Sequence, residues 1–515
     1  MAKNVSERGT VPMRISLIRT GFDDFLNEIY HICKLFFADV EWVEDGGEAA
    51  ELTIRTSLEY AGDISSATAA VSLHDAAGAL LCREEDVRAL PSAGSEAVRR
   101  ECKRALGRAL LKCLQTYTGM EQPWGILTGV RPMKLMHNFM MKESMDTCRQ
   151  VLREDYLLSP EKVRLLSEIG ERQLRVIPDL FRMERQVSLY IGIPFCPTKC
   201  AYCTFPAYDI RGNNGSVQSF LKGLQYEIRQ VGDWLARTGM SVTTVYWGGG
   251  TPTSIEAEEM DELFQVLHQS VPGMAGIREL TVEAGRPDTI TPEKIAVMKR
   301  WKVDRISINP QSFTQSTLDT IGRHHTVKET VEKYLLCREL GMNNINMDLI
   351  LGLPNEGLRE LEISLEQLER LMPESLTVHT LSFKRASRLT QNRERYELAE
   401  RDEVQAMMAR TVEWTNAHGY NPYYMYRQKN ILGNQENVGY SLPGYESLYN
   451  ILMMEERQTI IGLGCGAVSK IMGPDGAVER FPNPKEPSVY NSAYQEYTKR
   501  KLDLMDLVLG TAPKG

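Results

Sequence analysis

The sequence has no apolar run approaching the roughly 18 residues that a membrane span requires, although 42% of its 515 residues are hydrophobic. Its opening, MAKNVSERGTVPMRISLIRTGFDDF, lacks the continuous apolar core of a secretory signal. It has no basic surplus either. Lys and Arg number 60 against 68 Asp and Glu, a net charge of -8, which argues against a general nucleic-acid binder. No disulfide framework is legible, because ten cysteines scattered over so long a chain are not the pattern of a small secreted domain. Internal repeats, low-complexity runs and a GxGxxG fingerprint opening a helix after a strand are also missing. These absences predict a cytoplasmic globular protein of two to four domains, with no membrane span and no nucleic-acid partner.

What is present begins with an α+β stretch over 1–118. FDDFLNEIYHICKLFF has helical spacing, ELTIRTSL and ATAAVSLHD alternate as strands do, and SEAVRRECKRALGRALLKCLQTYTG is a helix that Gly119 should stop. A helical connector over 119–186 follows. In it Ser159 and Pro160 suit the N-cap and first position of a helix, and EQPWGILTGVRPMKLMH reads as a loop. From 187 to 385 strand, Gly-rich turn and helix alternate. Six candidate strands, 188–194, 243–249, 279–284, 305–310, 344–350 and 375–382, predict a parallel sheet of right-handed βαβ units, hence an α/β partial (β/α)6 barrel with its site at the strand C-termini. Residues 386–515 are mixed, with aromatics in YNPYYMYRQKN and glycines in IIGLGCGAVSK, and read as a capping or substrate-binding region.

Directly after the first barrel strand comes LYIGIPFCPTKCAYCTFPAY, which sets Cys196, Cys200 and Cys203 in one loop. Seven other cysteines read as small buried apolar residues. A closed structural zinc site wants four ligands, and no His or fourth Cys lies near the loop in sequence. Three thiolates suit a [4Fe-4S] cluster better, leaving one iron open to a chelating small molecule.

This Cys-x3-Cys-x2-Cys pattern, with Tyr202 before its third Cys, resembles the signature of the radical S-adenosylmethionine (SAM) superfamily. The resemblance implies that the open iron holds the amino and carboxylate groups of SAM. It also implies that the GGGTPT turn (Gly248, Gly249, Gly250, Thr251) lies against the SAM amino group. Glu283 in TVEAGRPD would accept from the ribose hydroxyls, Gln311 in RISINPQSF and Asp348 in NINMDLILGLP would complete the pocket, and the forked donors of Arg323 would suit the carboxylate.

The same strings, together with YRQKNILGNQENVGYSLPGYESLYNI and GLGCGAVSK, resemble the oxygen-independent coproporphyrinogen III oxidase (coproporphyrinogen dehydrogenase) family, and within it the HemZ branch. That implies anaerobic heme biosynthesis: oxidative decarboxylation of coproporphyrinogen III to protoporphyrinogen IX, with a reducing donor such as flavodoxin or ferredoxin. Tyr190 would pack beside the cluster, and Lys384, Arg385, Arg388, Arg427 and Lys429 are candidate partners for propionates. Two positions depart from the family. Phe205 stands where the best-defined oxidases carry a further Cys, and Gly192 replaces a His. Phe205 matches the heme-chaperone relatives, so a heme-binding chaperone and a radical SAM methyltransferase that opens heme remain alternatives on one scaffold.

Overall fold

The computed structural model describes residues 12–37, 39–43, 50–61, 65–92, 95–129, 131–384, 386–429, 431–474 and 476–511. The chain divides into two compact units, Met1–Ser167 and Glu168–Gly515, the division falling within the 119–186 segment.

In the first unit five strands form one sheet in the spatial order Val40–Val43, Met13–Thr20, Leu52–Tyr60, Ser66–Asp75, Leu80–Ala89. The first three run parallel and the rest form antiparallel hairpins. Helices Leu26–Cys33 and Ser95–Thr118 share a core with this sheet, built on Ile29, Ile54, Val71, Leu73, Leu106 and Leu110. The long helix stops where Gly119 turns left-handed at φ 71°, as its sequence anticipates. EQPWGILTGVRPMKLMH is not all loop: Pro132 opens a helix, Pro132–Met140, because its missing N–H costs nothing at a first helical position. Ser159 caps the helix Pro160–Val176 through its Oγ, which accepts the Lys162 N–H at 3.3 Å.

The second unit is built on six parallel strands in sequence order: Gln186–Ile193, Ser241–Gly249, Glu279–Glu283, Arg305–Ser307, Ile345–Leu351 and Ser375–Thr380. Both faces of these strands are largely buried, hence their near-continuous apolar runs. The crossover helices show the complementary period. In Val217–Thr238, Phe220, Leu224, Ile228, Val231 and Leu235 fall on one buried stripe, Ser216 caps the start and left-handed Gly239 ends it. Among the described residues the sheet does not close. Strand Thr459–Gly464 adds parallel to the outer side of the first strand, followed by antiparallel Val468–Met472 and Val478–Pro482. At the other edge Asn437–Ser441 and Asn421–Tyr426 pair antiparallel beyond the sixth. The result is an open (β/α)6 partial barrel inside an eleven-stranded sheet.

All ten cysteines are free, and the seven outside the loop are buried. The C-terminal helix Pro487–Leu509 is tied to the barrel by a buried ion pair. Glu227 accepts from Lys501, from Asn483 at 2.8 Å, from the Tyr490 hydroxyl at 2.7 Å and from the Gly464 N–H at 2.6 Å. Removing one member of a buried, fully bonded pair leaves the other uncompensated. Glu227→Ala is therefore expected to cost about 3–5 kcal/mol in urea unfolding of the barrel unit; a loss below about 1 kcal/mol would make the pair dispensable.

Candidate functional site

A cavity of about 500 Å³ opens at the C-terminal ends of the barrel strands, where this architecture gathers functional side chains. The three-cysteine loop forms one wall. It leaves the first strand at Ile193, and a two-residue parallel pairing of Phe195–Cys196 with Tyr208–Asp209 closes it into an arch. The arch is pinned at several points. The Thr198 hydroxyl donates to the Gly322 carbonyl at 3.4 Å, and Ala201 N–H donates to Ile321 at 2.9 Å. Leu389 N–H donates to the Ala201 carbonyl at 3.0 Å, and Thr251 Oγ1 lies 3.3 Å from Cys196 Sγ. Cys196 and Cys200 are buried and Cys203 is half-buried.

The turn after the second strand is docked on this loop by main-chain bonds, Gly250 N–H donating to Ile193 at 2.8 Å and Thr251 N–H to Phe195 at 2.7 Å, and by the Ser254 hydroxyl, which donates to the Phe195 carbonyl at 3.2 Å. Only glycine fits there, since a Cβ on Gly250 would sit 2.5 Å from the Phe195 carbonyl oxygen. Gly249, Gly250 and Thr251 line the cavity. Gly248 does not: its open side is covered by the rings of Tyr190 and Tyr246.

Glu283, Gln311, Arg323 and Asp348 all reach the same cavity, as do Tyr190 and Lys384. Gln311 holds a left-handed backbone, φ 67°, a conformation that costs a non-glycine residue on the order of 1 kcal/mol. It is clamped by bonds at 2.9 Å from its N–H to the Asp348 carbonyl and from Ile350 N–H to its own carbonyl. Asp348 accepts from Asn346 at 2.7 Å and faces His379 Nε2 at 3.6 Å. Arg323 donates through Nη2 to the carbonyls of Gly285 and Asn309 at 2.7 and 2.6 Å, and its Nη1 lies 3.9 Å from Cys200 Sγ. Burial pushes the Glu283 carboxyl up to about 7, with the Asp348 charge adding and the Tyr246 hydroxyl, 2.5 Å away, opposing.

Three expected partners for acidic substituents stand elsewhere. Arg427 is buried off the cavity wall with its guanidinium bonded to the Asn434 side chain, while Arg388 and Lys429 are exposed and off the wall. Burial pushes the Arg427 guanidinium down to about 10, with the Glu436 charge opposing. Arg385 lies outside the described residues. Gly192 packs on the C-terminal strand, where a Cβ would meet the Cys465 carbonyl oxygen at 3.1 Å, so a His there would need its neighbours to shift by a few tenths of an ångström.

Sequence reasoning missed the aromatic wall. Tyr246 and Tyr449 stack at 4.3 Å between centroids, and Tyr190 packs on both at 6.2 and 6.3 Å. It also missed Asn309, Arg286, His379, Tyr426, Met453, Met454 and Lys470, all of which line the cavity. Tyr246 and His379 could have been found as polar residues at strand C-termini. Tyr449, Met453 and Met454 arrive on helix Leu448–Glu455 with no local signal.

The residue set fits both an iron–sulfur cluster and an adenosyl amino acid. Burial pushes the Cys196 thiol up to about 11 and the Cys203 thiol up as well, so the loop alone favours thiols, and bound cationic iron would reverse that balance. Among the described residues no three His, Cys, Asp or Glu side chains gather round a single ion. In a cubane each thiolate binds its own iron, and such convergence is not required. Arg323 Nε and Asn309 Oδ1, both buried and without partners, supply a donor and an acceptor suited to carboxylate and amino or hydroxyl groups.

Residues 190–368 match the family model described as "Radical SAM superfamily". The oxygen-independent coproporphyrinogen-III oxidase-like protein HemZ of Bacillus subtilis is 51% identical over 495 residues, 96% of this chain and 98% of the relative. The chain belongs to the radical SAM superfamily, in its oxygen-independent coproporphyrinogen-III oxidase-like family. This radical SAM chain is also 30% identical to the heme chaperone HemW of Bacillus subtilis, over 56% of its own length and 71% of the relative. The solved coproporphyrinogen III oxidase (HemN) of Escherichia coli shares the fold with a TM-score of 0.50 at 19% identity, covering 63% of this chain and 73% of that one. The cofactors of the superfamily are a [4Fe-4S] cluster and SAM. No helix among the described residues is long and apolar enough to cross a membrane.

An acceptor role for Glu283 toward ribose hydroxyls needs the carboxylate, which exists above its raised pKa of about 7 and is lost below it. SAM affinity should therefore fall as pH drops from about 8 to about 6, by up to about tenfold per unit below the pKa. Glu283→Gln should weaken binding and flatten that dependence. A calorimetric Kd that ignores pH in the native chain would remove Glu283 from the contact set.

Proposed function

We propose that this chain is a radical SAM oxidoreductase that decarboxylates propionate side chains of coproporphyrinogen III, giving protoporphyrinogen IX. The observation that carries this reading is one continuous cavity with two kinds of wall. Its lining takes in the three cysteines with Gly249, Gly250, Glu283, Gln311 and Asp348, and also the apolar side chains of Met453, Met454, Ile460 and Val468 together with Lys384 and Lys470. Near full-length likeness to the coproporphyrinogen-III oxidase-like protein HemZ supports the same substrate class.

When bound, the cluster and SAM supply a one-electron cleavage to methionine and a 5′-deoxyadenosyl radical able to take hydrogen from a propionate β-carbon. Loss of CO2 from that propionate and transfer of one further electron to an external one-electron acceptor would leave a vinyl group. The protein's part is orientation and exclusion of water. Glu283, Gln311 and Asp348 hold the nucleoside end, the Gly249–Thr251 turn meets the amino group of the methionine end, and Arg323 meets its carboxylate. The stack of Tyr190, Tyr246 and Tyr449 forms a dry floor. Lys384 attracts the acidic substituents, Lys470 is held against the Met453 carbonyl at 3.2 Å and the buried Glu456 carboxylate at 3.6 Å, and the two methionines adapt to a bulky apolar ring.

A second reading, a heme-binding chaperone, is favoured by Phe205, whose ring is 59% exposed at the cavity rim where the oxidase branch carries a Cys. Anaerobic turnover of the reconstituted, reduced protein separates the two. The enzyme reading expects protoporphyrinogen formed in step with 5′-deoxyadenosine when coproporphyrinogen III is added. Stoichiometric heme binding with no porphyrin product would overturn it in favour of the chaperone. Lys384→Gln is expected to raise the KM for porphyrinogen by about tenfold, roughly the loss of one charge-assisted bond; an unchanged KM would remove Lys384 from the substrate contacts.

A further inference from the structure

Arg286 follows the third barrel strand and is 3% exposed, with its side chain on the cavity wall. Its Nε and Nη2 donate to the two carboxylate oxygens of Asp288, each at 3.1 Å. Its Nη1 donates to the Thr198 hydroxyl at 2.9 Å and to the Thr198 carbonyl at 3.3 Å. Thr198 stands midway between Cys196 and Cys200. The guanidinium thus has its counter-ion on one edge and the cysteine loop on the other.

That arrangement is an oriented dipole with its positive end toward the loop. Asp288 is 27% exposed, so water screens its charge more than it screens the buried cation. Other charged groups also face the loop: Arg323, already bonded to two backbone carbonyls, and Lys199 and Lys384, whose charges act on Cys203. His325 beside them is held uncharged, its pKa pushed down to about 3 by burial and by Arg323 and Arg286.

We propose that Arg286 is a positioning residue for the iron–sulfur cluster: through Thr198 it holds the Cys196–Cys200 limb of the loop, and its positive edge raises the cluster's reduction potential. This rests on the cluster reading above. One electron from a reductant adds one negative charge to the cluster, and a buried positive end nearby favours that reduced state. The same contact shapes the loop before iron arrives, because a forked guanidinium fixes both its acceptors in one plane.

The test is a potentiometric titration with dithionite, followed by electron paramagnetic resonance, on the reconstituted full chain and its Arg286→Gln and Asp288→Asn variants. Losing the cation should move the midpoint to more negative values, and neutralising the counter-ion should move it to more positive ones. A merely structural role would shift both the same way, or change iron content with no shift. Arg286→Gln holding full iron at the native potential would overturn the proposal, as would shifts of one sign. Should Arg286→Gln fail to hold iron, Asp288→Asn decides alone: a rise sustains the proposal, and no change or a fall overturns it. A native chain that holds no cluster at all would instead remove the cluster reading itself.

Discussion

Two main-chain hydrogen bonds, from Gly250 to Ile193 and from Thr251 to Phe195, lock the glycine turn of the second strand onto the root of the cysteine loop. Everything in the site takes its position from that junction. It sets Thr251 against Cys196 and puts the backbone of Gly249 and Gly250 on the cavity wall. The parallel register then delivers Glu283, Gln311 and Asp348 to the same end of the sheet, one strand after another. At Gly250 no side chain fits, since a Cβ would sit 2.5 Å from the Phe195 carbonyl oxygen.

The junction is held from behind by the C-terminal part of the chain. Strand Thr459–Gly464 pairs with Val187–Gly192 of the first barrel strand, and its last residue donates to Glu227, whose charge is balanced by Lys501 on the terminal helix. A buried pair of this kind contributes little net stability over an apolar core, but it fixes one arrangement. Helix Leu448–Glu455 enters from the same region and completes the tyrosine stack with Tyr449. Thus the residues least related to the cysteine loop in sequence decide the shape of the space beside it.

Local patterns carried much of this in the sequence. The cysteine spacing, the six strand–turn–helix units and the polar residue at each strand end depend on neighbours within a few positions, and the strands lie where the alternation put them. The helix that Pro132 opens was hidden by its flanking glycines and tryptophan, which read as loop. The rest was not legible because it depends on pairings across some 270 positions, such as Thr459–Gly464 beside Gln186–Ile193. Basic residues near the sixth strand all looked alike in sequence. Only their partners distinguish Arg427, tied to Asn434, from Lys384 on the cavity wall. Arg286 was unreadable for the same reason, its value lying in a bond to Thr198 from another part of the barrel.

The central claim is that the cysteine loop and the strand ends form one site in which a cluster and SAM meet. Electron–nuclear double resonance on the anaerobically reduced, reconstituted protein tests it most directly, using SAM isotope-labelled in its amino and carboxylate groups. The account predicts a [4Fe-4S] signal that changes on adding SAM, with hyperfine coupling to the labelled atoms. A cluster signal indifferent to SAM, or a different metal centre in the loop, would contradict it.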